Sequence, residues 1–180
     1  MRIKNVPNII STIRIFMVPL FVGLFFSGIP NARIWATIVY ALAAVSDALD
    51  GAIARKYKIT STIGKILDPL GDKLINAAAV VCMTIAGIIQ YWPVLVFFIK
   101  EILMGIGAIV LYRRKLDVFP SNKLGKTSTV VLFLVCAVLM VFPKIPSGAA
   151  SVMIGGAILL TVATLVVYFV TFLRMMKDKD

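Results

Sequence analysis

Apolar stretches of about 20 residues recur along this chain, the length a helix needs to cross a hydrocarbon layer. Hydrophobic residues make up 61% of its 180 positions, well above the ~45–50% of an ordinary soluble domain. The chain therefore reads as an all-α integral membrane protein. Six transmembrane helices are predicted, near residues 9–29, 33–56, 64–89, 92–113, 124–142 and 148–175, forming a single domain over 1–180. Pro19 falls inside the first, where a kink is tolerable within a bundle. No cleavable signal peptide is expected, because the first apolar stretch carries Arg14 and no small-residue cleavage pattern.

Charge gives the orientation. The net charge is +11, yet no soluble basic domain exists to carry it onto nucleic acid, so a nucleic-acid partner is not expected. With both termini in the cytoplasm, sixteen of the nineteen Lys and Arg fall on the cytoplasmic side or at the helix ends nearest it. Arg33 and Lys144 face the other way, and Lys100 lies mid-segment beside Glu101. Tyr91 and Trp92 suit an interface belt. The absence of histidine excludes a His base, a Ser-His-Asp triad and any His-ligated metal. Cys82 and Cys136 sit in apolar runs without ligand spacing and read as packing residues.

Against that background, Asp47 to Asp72 stands out. It reads Asp47-x-x-Asp50-Gly51-x-x-Ala54-Arg55, eight residues, then Gly64-x-x-x-Asp68-x-x-x-Asp72. Four of the eight acidic residues are there. At ~100° per residue, the first set shares an arc of one helix and the second a face of the next. Converging carboxylates repel unless a positive charge lies between them, and all-oxygen ligands suit hard divalent cations. Two cations on shared aspartates clamp a phosphoryl displacement. The small residues Gly51, Ala54 and Gly64 let a bulky phosphate-bearing ligand approach, and Arg55 adds a fixed cation. Asp72, last in the series, is the candidate base for an attacking hydroxyl. The cytoplasmic helix ends then border a cytoplasm-facing polar cavity. A proton or cation transporter is the rival use of intramembrane aspartates.

This pattern resembles the signature of the CDP-alcohol phosphatidyltransferase family at all eight fixed positions and both spacings. Asn5-Val6-Pro7-Asn8 with Thr12 and Arg14 is similar to the way many members begin. The resemblance implies transfer of a phosphatidyl group from CDP-diacylglycerol to an alcohol, with release of CMP, in phospholipid biosynthesis. It implies that Asp47, Asp50, Asp68 and Asp72 hold Mg²⁺ or Mn²⁺, two ions in all, with Asp72 as the base. It implies that Asp47, Gly51, Ala54, Arg55, Gly64 and Asp68 bind the CDP moiety. A homodimer in a bacterial-type cell membrane, its active site facing the cytoplasm, is the further expectation.

The acceptor is read from elsewhere in the chain. Basic residues suit a small phosphorylated alcohol, and Lys126, with Arg113 and Arg114, is the candidate set. Gly125-Lys126-Thr127 opening the fifth segment resembles members that use glycerol 3-phosphate. Those members usually carry Ala-Arg-Glu where this chain has Ile99-Lys100-Glu101, and often a second lysine where Ser128 stands. Members that accept phosphatidylglycerol share the Pro-Ser…Gly-Lys…Thr arrangement of residues 120–129 and are the alternative.

Overall fold

The computed structural model describes residues 6–57, 64–113 and 123–177. Six helices account for almost all of them: α1 (Val6–Phe25), α2 (Ala32–Tyr57), α3 (Gly64–Ile85), α4 (Trp92–Arg113), α5 (Lys123–Val141) and α6 (Ser147–Lys177). No strand occurs among the described residues. Two helices stop four residues short of the hydropathy expectation, at Phe25 and Ile85. Turn chemistry overrides the apolar run in both places. The Ser27 hydroxyl and amide both donate to the Leu24 carbonyl, and Gly28 (φ 68°) and Asn31 (φ 59°) then reverse the chain in left-handed conformations. After α3, Gly87 does the same with φ 69°.

The described helices cluster into two compact units. The first contains α1, α2, α3 and the segment Ala137–Pro143. Here α1 packs along both α2 and α3, and α2 meets α3. Its core alternates large and small side chains: Phe21, Tyr40, Ile75 and Met83 are buried with Ala36, Ala43 and Ala79. Small residues let helix backbones approach closely, which matters where lipid supplies no hydrophobic driving force between helices. The rings of Phe21 and Tyr40 lie 5.8 Å apart, a tilted aromatic contact between α1 and α2 worth about 0.5–1.5 kcal/mol.

The second unit comprises α4, α5 as far as Cys136, and α6. α4 packs on α6, where a Cβ at Gly155 would stand 3.7 Å from the Trp92 ring. Along α4, Leu95, Ile99, Ile102, Ile106 and Ile109 are exposed at three- and four-residue spacing. An apolar stripe of this kind suits lipid tails.

Among the described residues, three stretches are long and apolar enough to cross a membrane: Trp92–Leu111, Leu124–Val141 and Ser147–Leu173. Together with the chemistry below they make this a membrane protein. Among the described residues the first unit holds the apolar stretches Thr12–Phe25, Ala32–Ser46 and Lys73–Ile85.

Candidate active site

The helical backbone carries the motif positions in continuous register. On α2 the buried residues Ala36, Tyr40 and Ala43 are followed at the same spacing by positions 47, 50 and 54. On α3, positions 68 and 72 lead directly into the buried Ile75, Asn76, Ala79 and Met83. Both halves of the motif thus continue the faces by which α2 and α3 join the first unit. The side chains of Asp47, Asp50, Gly51, Ala54, Arg55, Gly64, Asp68 and Asp72 lie outside the described residues, as does all of Arg114.

Two described contacts lie within two turns of these positions on α2 or α3. The Tyr40 hydroxyl donates to Asn76 Oδ1 at 2.6 Å, both side chains being buried. Tyr40 precedes Asp47 by seven residues and Asn76 follows Asp72 by four. Because α2 runs toward the motif and α3 away from it, the bond lies on the same side of both aspartates. It sits about 10 Å below position 47 and about 6 Å below position 72, at 1.5 Å rise per residue. It ties the two helices at one height.

The second contact comes from α1. Arg14 is fully buried, and its stem crosses α3 at Gly71, the residue before Asp72. A Cβ at Gly71 would stand 3.2 Å from Arg14 Cδ and 3.6 Å from Cγ. Gly71 therefore leaves the gap through which the Arg14 stem passes, one residue before position 72.

The acceptor candidates belong to the second unit. Arg113 is the last residue of α4, and Lys126 lies in the first turn of α5; both are exposed. Position 128, where related members often carry a second lysine, is a buried serine here. Ser128 is buried, donates to the Gly125 carbonyl at 2.8 Å, and receives a 3.2 Å hydrogen bond from the Thr164 hydroxyl. Tyr168 of α6 places its hydroxyl 3.0 Å from where a Cβ of Gly125 would be. Lys100 and Glu101, mid-way along α4, pair with each other at 2.6 Å, their side chains only 13% and 15% exposed.

Sequence reasoning had not assigned Arg14, Tyr40, Asn76 or Tyr168 to a site. Arg14 carried a usable signal, an ionisable residue within an apolar helix. Asn76 carried a weaker one, a polar side chain one turn beyond Asp72. Tyr40 and Tyr168 look like ordinary membrane aromatics until their hydroxyl neighbours are known.

Among the described side chains no group of three or more His, Cys, Asp or Glu forms a metal site; the four aspartates are not among them. Their donor chemistry nevertheless fits. Two touching helices, each bearing aspartates at one-turn spacing, offer an all-oxygen set suited to hard divalent cations.

Comparison with known proteins agrees with this chemistry. A family model for CDP-alcohol phosphatidyltransferase matches residues 4–175. A probable phosphatidylglycerophosphate synthase of Mycobacterium tuberculosis is 33% identical over 180 residues, covering 96% of this chain and 84% of that protein. A CDP-diacylglycerol–glycerol-3-phosphate 3-phosphatidyltransferase of Rickettsia typhi is 30% identical over 160 residues, 89% of each chain. A cardiolipin synthase (CMP-forming) of Streptomyces coelicolor is 36% identical over 131 residues, 71% of this chain and 61% of that protein. The chain belongs to the CDP-alcohol phosphatidyltransferase family. It is an enzyme of phospholipid biosynthesis, in a family that joins CDP-diacylglycerol to an alcohol acceptor and generally uses divalent metal ions.

Proposed function

We propose that the enzyme transfers the phosphatidyl group of CDP-diacylglycerol to glycerol 3-phosphate, giving phosphatidylglycerophosphate and CMP. The observation that carries this reading is the relative named as a probable phosphatidylglycerophosphate synthase, which aligns along 96% of the chain, motif included. All six helices cross the membrane in this reading, α1–α3 with the motif at their cytoplasmic ends. The site opens to the cytoplasm of a bacterial-type cell, as the Lys and Arg distribution supports. A homodimer is part of the proposal.

Asp47, Asp50, Asp68 and Asp72 would hold Mg²⁺ or Mn²⁺. When bound, the ions would neutralise the pyrophosphate oxygens and ease departure of CMP. Gly51, Ala54 and Gly64 leave room for the cytidine diphosphate, with Asp47, Asp68 and Arg55 as its polar partners. The acceptor hydroxyl oxygen bonds to the phosphorus bearing diacylglycerol as the pyrophosphate P–O bond breaks. CMP leaves with the bridging oxygen, and the hydroxyl proton passes to Asp72. Arg14 balances the carboxylate charge from α1, and the Tyr40–Asn76 bond holds the two halves of the motif in register. Lys126, with Arg113 and Arg114, binds the acceptor phosphate.

A second acceptor, phosphatidylglycerol, is favoured by one observation. Ser128 is buried and committed to Thr164 and Gly125, so position 128 adds no second cation to the acceptor site. The cardiolipin synthase relative agrees with that reading.

The test is CMP release from CDP-diacylglycerol by purified enzyme with Mg²⁺ or Mn²⁺. Stimulation by glycerol 3-phosphate alone supports the first reading, and stimulation by phosphatidylglycerol alone replaces it with the second. No release with either, from folded protein that moves cations across sealed vesicles, would return the aspartates to a transporter.

A further inference from the structure

A cavity of about 560 Å³ lies in the first unit, at the end of α2 remote from the acidic motif. Position 33 precedes position 47 by fourteen residues, about 21 Å along the helix at 1.5 Å rise per residue. The walls include Phe25 and Phe26 of α1, Asn31 of the turn, Arg33 of α2, Met140 of α5 and Pro143 just beyond it. Among the described lining residues none belongs to the catalytic or acceptor sets, and Arg33 is the one that carries a charge.

Arg33 is half-buried, and its backbone carbonyl accepts a 2.7 Å hydrogen bond from the Thr37 hydroxyl. Among the described residues no protein group bonds to its guanidinium. The sequence supplies no acid to do so. No acidic residue precedes Asp47, and none lies between Asp117 and Asp178, so α1, the first half of α2 and all of α5 carry no carboxylate. The cation of this cavity is therefore available to an anion from outside the chain.

The surroundings show which anion fits. Phe26, Ile34 and Trp35 are exposed around the cavity end of α1 and α2. Aromatic side chains of this kind gather at the level of lipid headgroups. A soluble phosphate would meet only the guanidinium, whereas a lipid phosphate also brings hydrocarbon to the apolar rim.

We propose that this cavity binds the phosphate of an anionic phospholipid on the membrane face opposite the catalytic motif. Arg33 takes the phosphate oxygens in its planar fork, and the lipid's ester region lies against Phe26 and Pro143. The inference rests on α1 and α2 crossing the membrane, and it holds whichever alcohol is the acceptor.

Trp35, one residue beyond the lining Ile34, is a built-in reporter. The chain has two tryptophans, so Trp92→Phe leaves Trp35 as the sole emitter. The full-length Trp92→Phe protein is reconstituted in phosphatidylcholine bilayers. Quenching is then compared for phosphatidic acid and phosphatidylcholine brominated near the carboxyl end of the chain. Phosphatidic acid is neither donor, acceptor nor product in either catalytic reading, and Trp35 reports a place remote from the motif. Phosphatidic acid is expected to bind about fivefold more tightly, the preference one basic side chain near a membrane surface supplies. Arg33→Gln should abolish that preference and leave CMP release unchanged. Ala32→Phe narrows the cavity while keeping the charge; it should also abolish the preference, and serves if Arg33→Gln does not fold, as judged by helicity and monodispersity. Asp72→Asn should keep the preference while losing CMP release, which separates this site from substrate binding and from failure of the catalytic reading. Equal quenching by the two lipids, or none by either, overturns the proposal. So does a preference that survives in either folded cavity variant or disappears in folded Asp72→Asn. Loss of the preference on adding inorganic phosphate at matched ionic strength overturns it too, and assigns Arg33 to a soluble anion.

Discussion

Tyr40 on α2 donates a 2.6 Å hydrogen bond to Asn76 on α3, two turns from Asp47 on one helix and one turn from Asp72 on the other. The bond ties together the two helices that divide the acidic motif. Tyr40→Phe keeps the ring against Phe21 and removes only the hydroxyl. The expected loss is about 0.5–1.5 kcal/mol of stability, read by thermal unfolding in detergent. Combining it with Asn76→Leu should cost less than the sum of the single changes, because the two residues share the interaction.

Gly71→Ala is expected to cost more than its single methyl suggests. The new Cβ would sit 3.2 Å from Arg14 Cδ, in a place where the arginine stem is enclosed on every side. Roughly 1–3 kcal/mol of destabilisation and a clear loss of CMP release should follow. Arg14→Ala removes the obstructing stem. The double variant should therefore be no less stable than Arg14→Ala alone, a non-additivity that unfolding curves would reveal.

Asp72→Asn keeps the shape of the proposed base and removes its proton affinity. CMP release is expected to fall by about 10²–10⁴-fold, the range for loss of a positioned general base. A chelator should stop release in wild type, and added Mg²⁺ or Mn²⁺ should restore it. Restoration by metal in Asp72→Asn to near wild-type rates would remove Asp72 from the role of base.

Lys100 and Glu101 offer a test outside the motif. Single neutralisation of either leaves the other charge mostly buried in an apolar helix, whereas Lys100→Met with Glu101→Gln removes both charges. The expectation is that each single change destabilises by about 3–5 kcal/mol and the double change by much less. Thermal stability of the three variants decides it.

Much of this architecture was legible in the chain. Helices spell themselves out when apolar runs are long, and the α2 and α4 boundaries fall within a residue of expectation. The early ends of α1 and α3 were hidden because Ile29 and Ile89 extend the apolar runs past turns that Gly28 and Gly87 dictate. The acidic motif was legible as chemistry, since carboxylates at helical spacing in an apolar setting have few other uses. Its supporting contacts were not. Nothing in the order of residues says that Arg14 passes over Gly71, or that Tyr168 reaches Gly125; both depend on packing between helices distant in the chain. Lys100 and Glu101 stand side by side in the sequence, but only the packed helix shows them paired at 2.6 Å.

The burial of Arg14 also bears on how the molecule is made. A guanidinium in the first helix is costly to leave alone among lipid tails. Glu101 answers Lys100 from the adjacent residue, so α4 can enter the bilayer with its charges already matched. No such neighbour stands beside Arg14 in the sequence, and the gap that receives its stem, Gly71, is synthesised 57 residues later. The cation of α1 and the gap that receives its stem therefore meet only when the two helices pack, so burial of Arg14 and docking of α1 on α3 are one step of folding, not two.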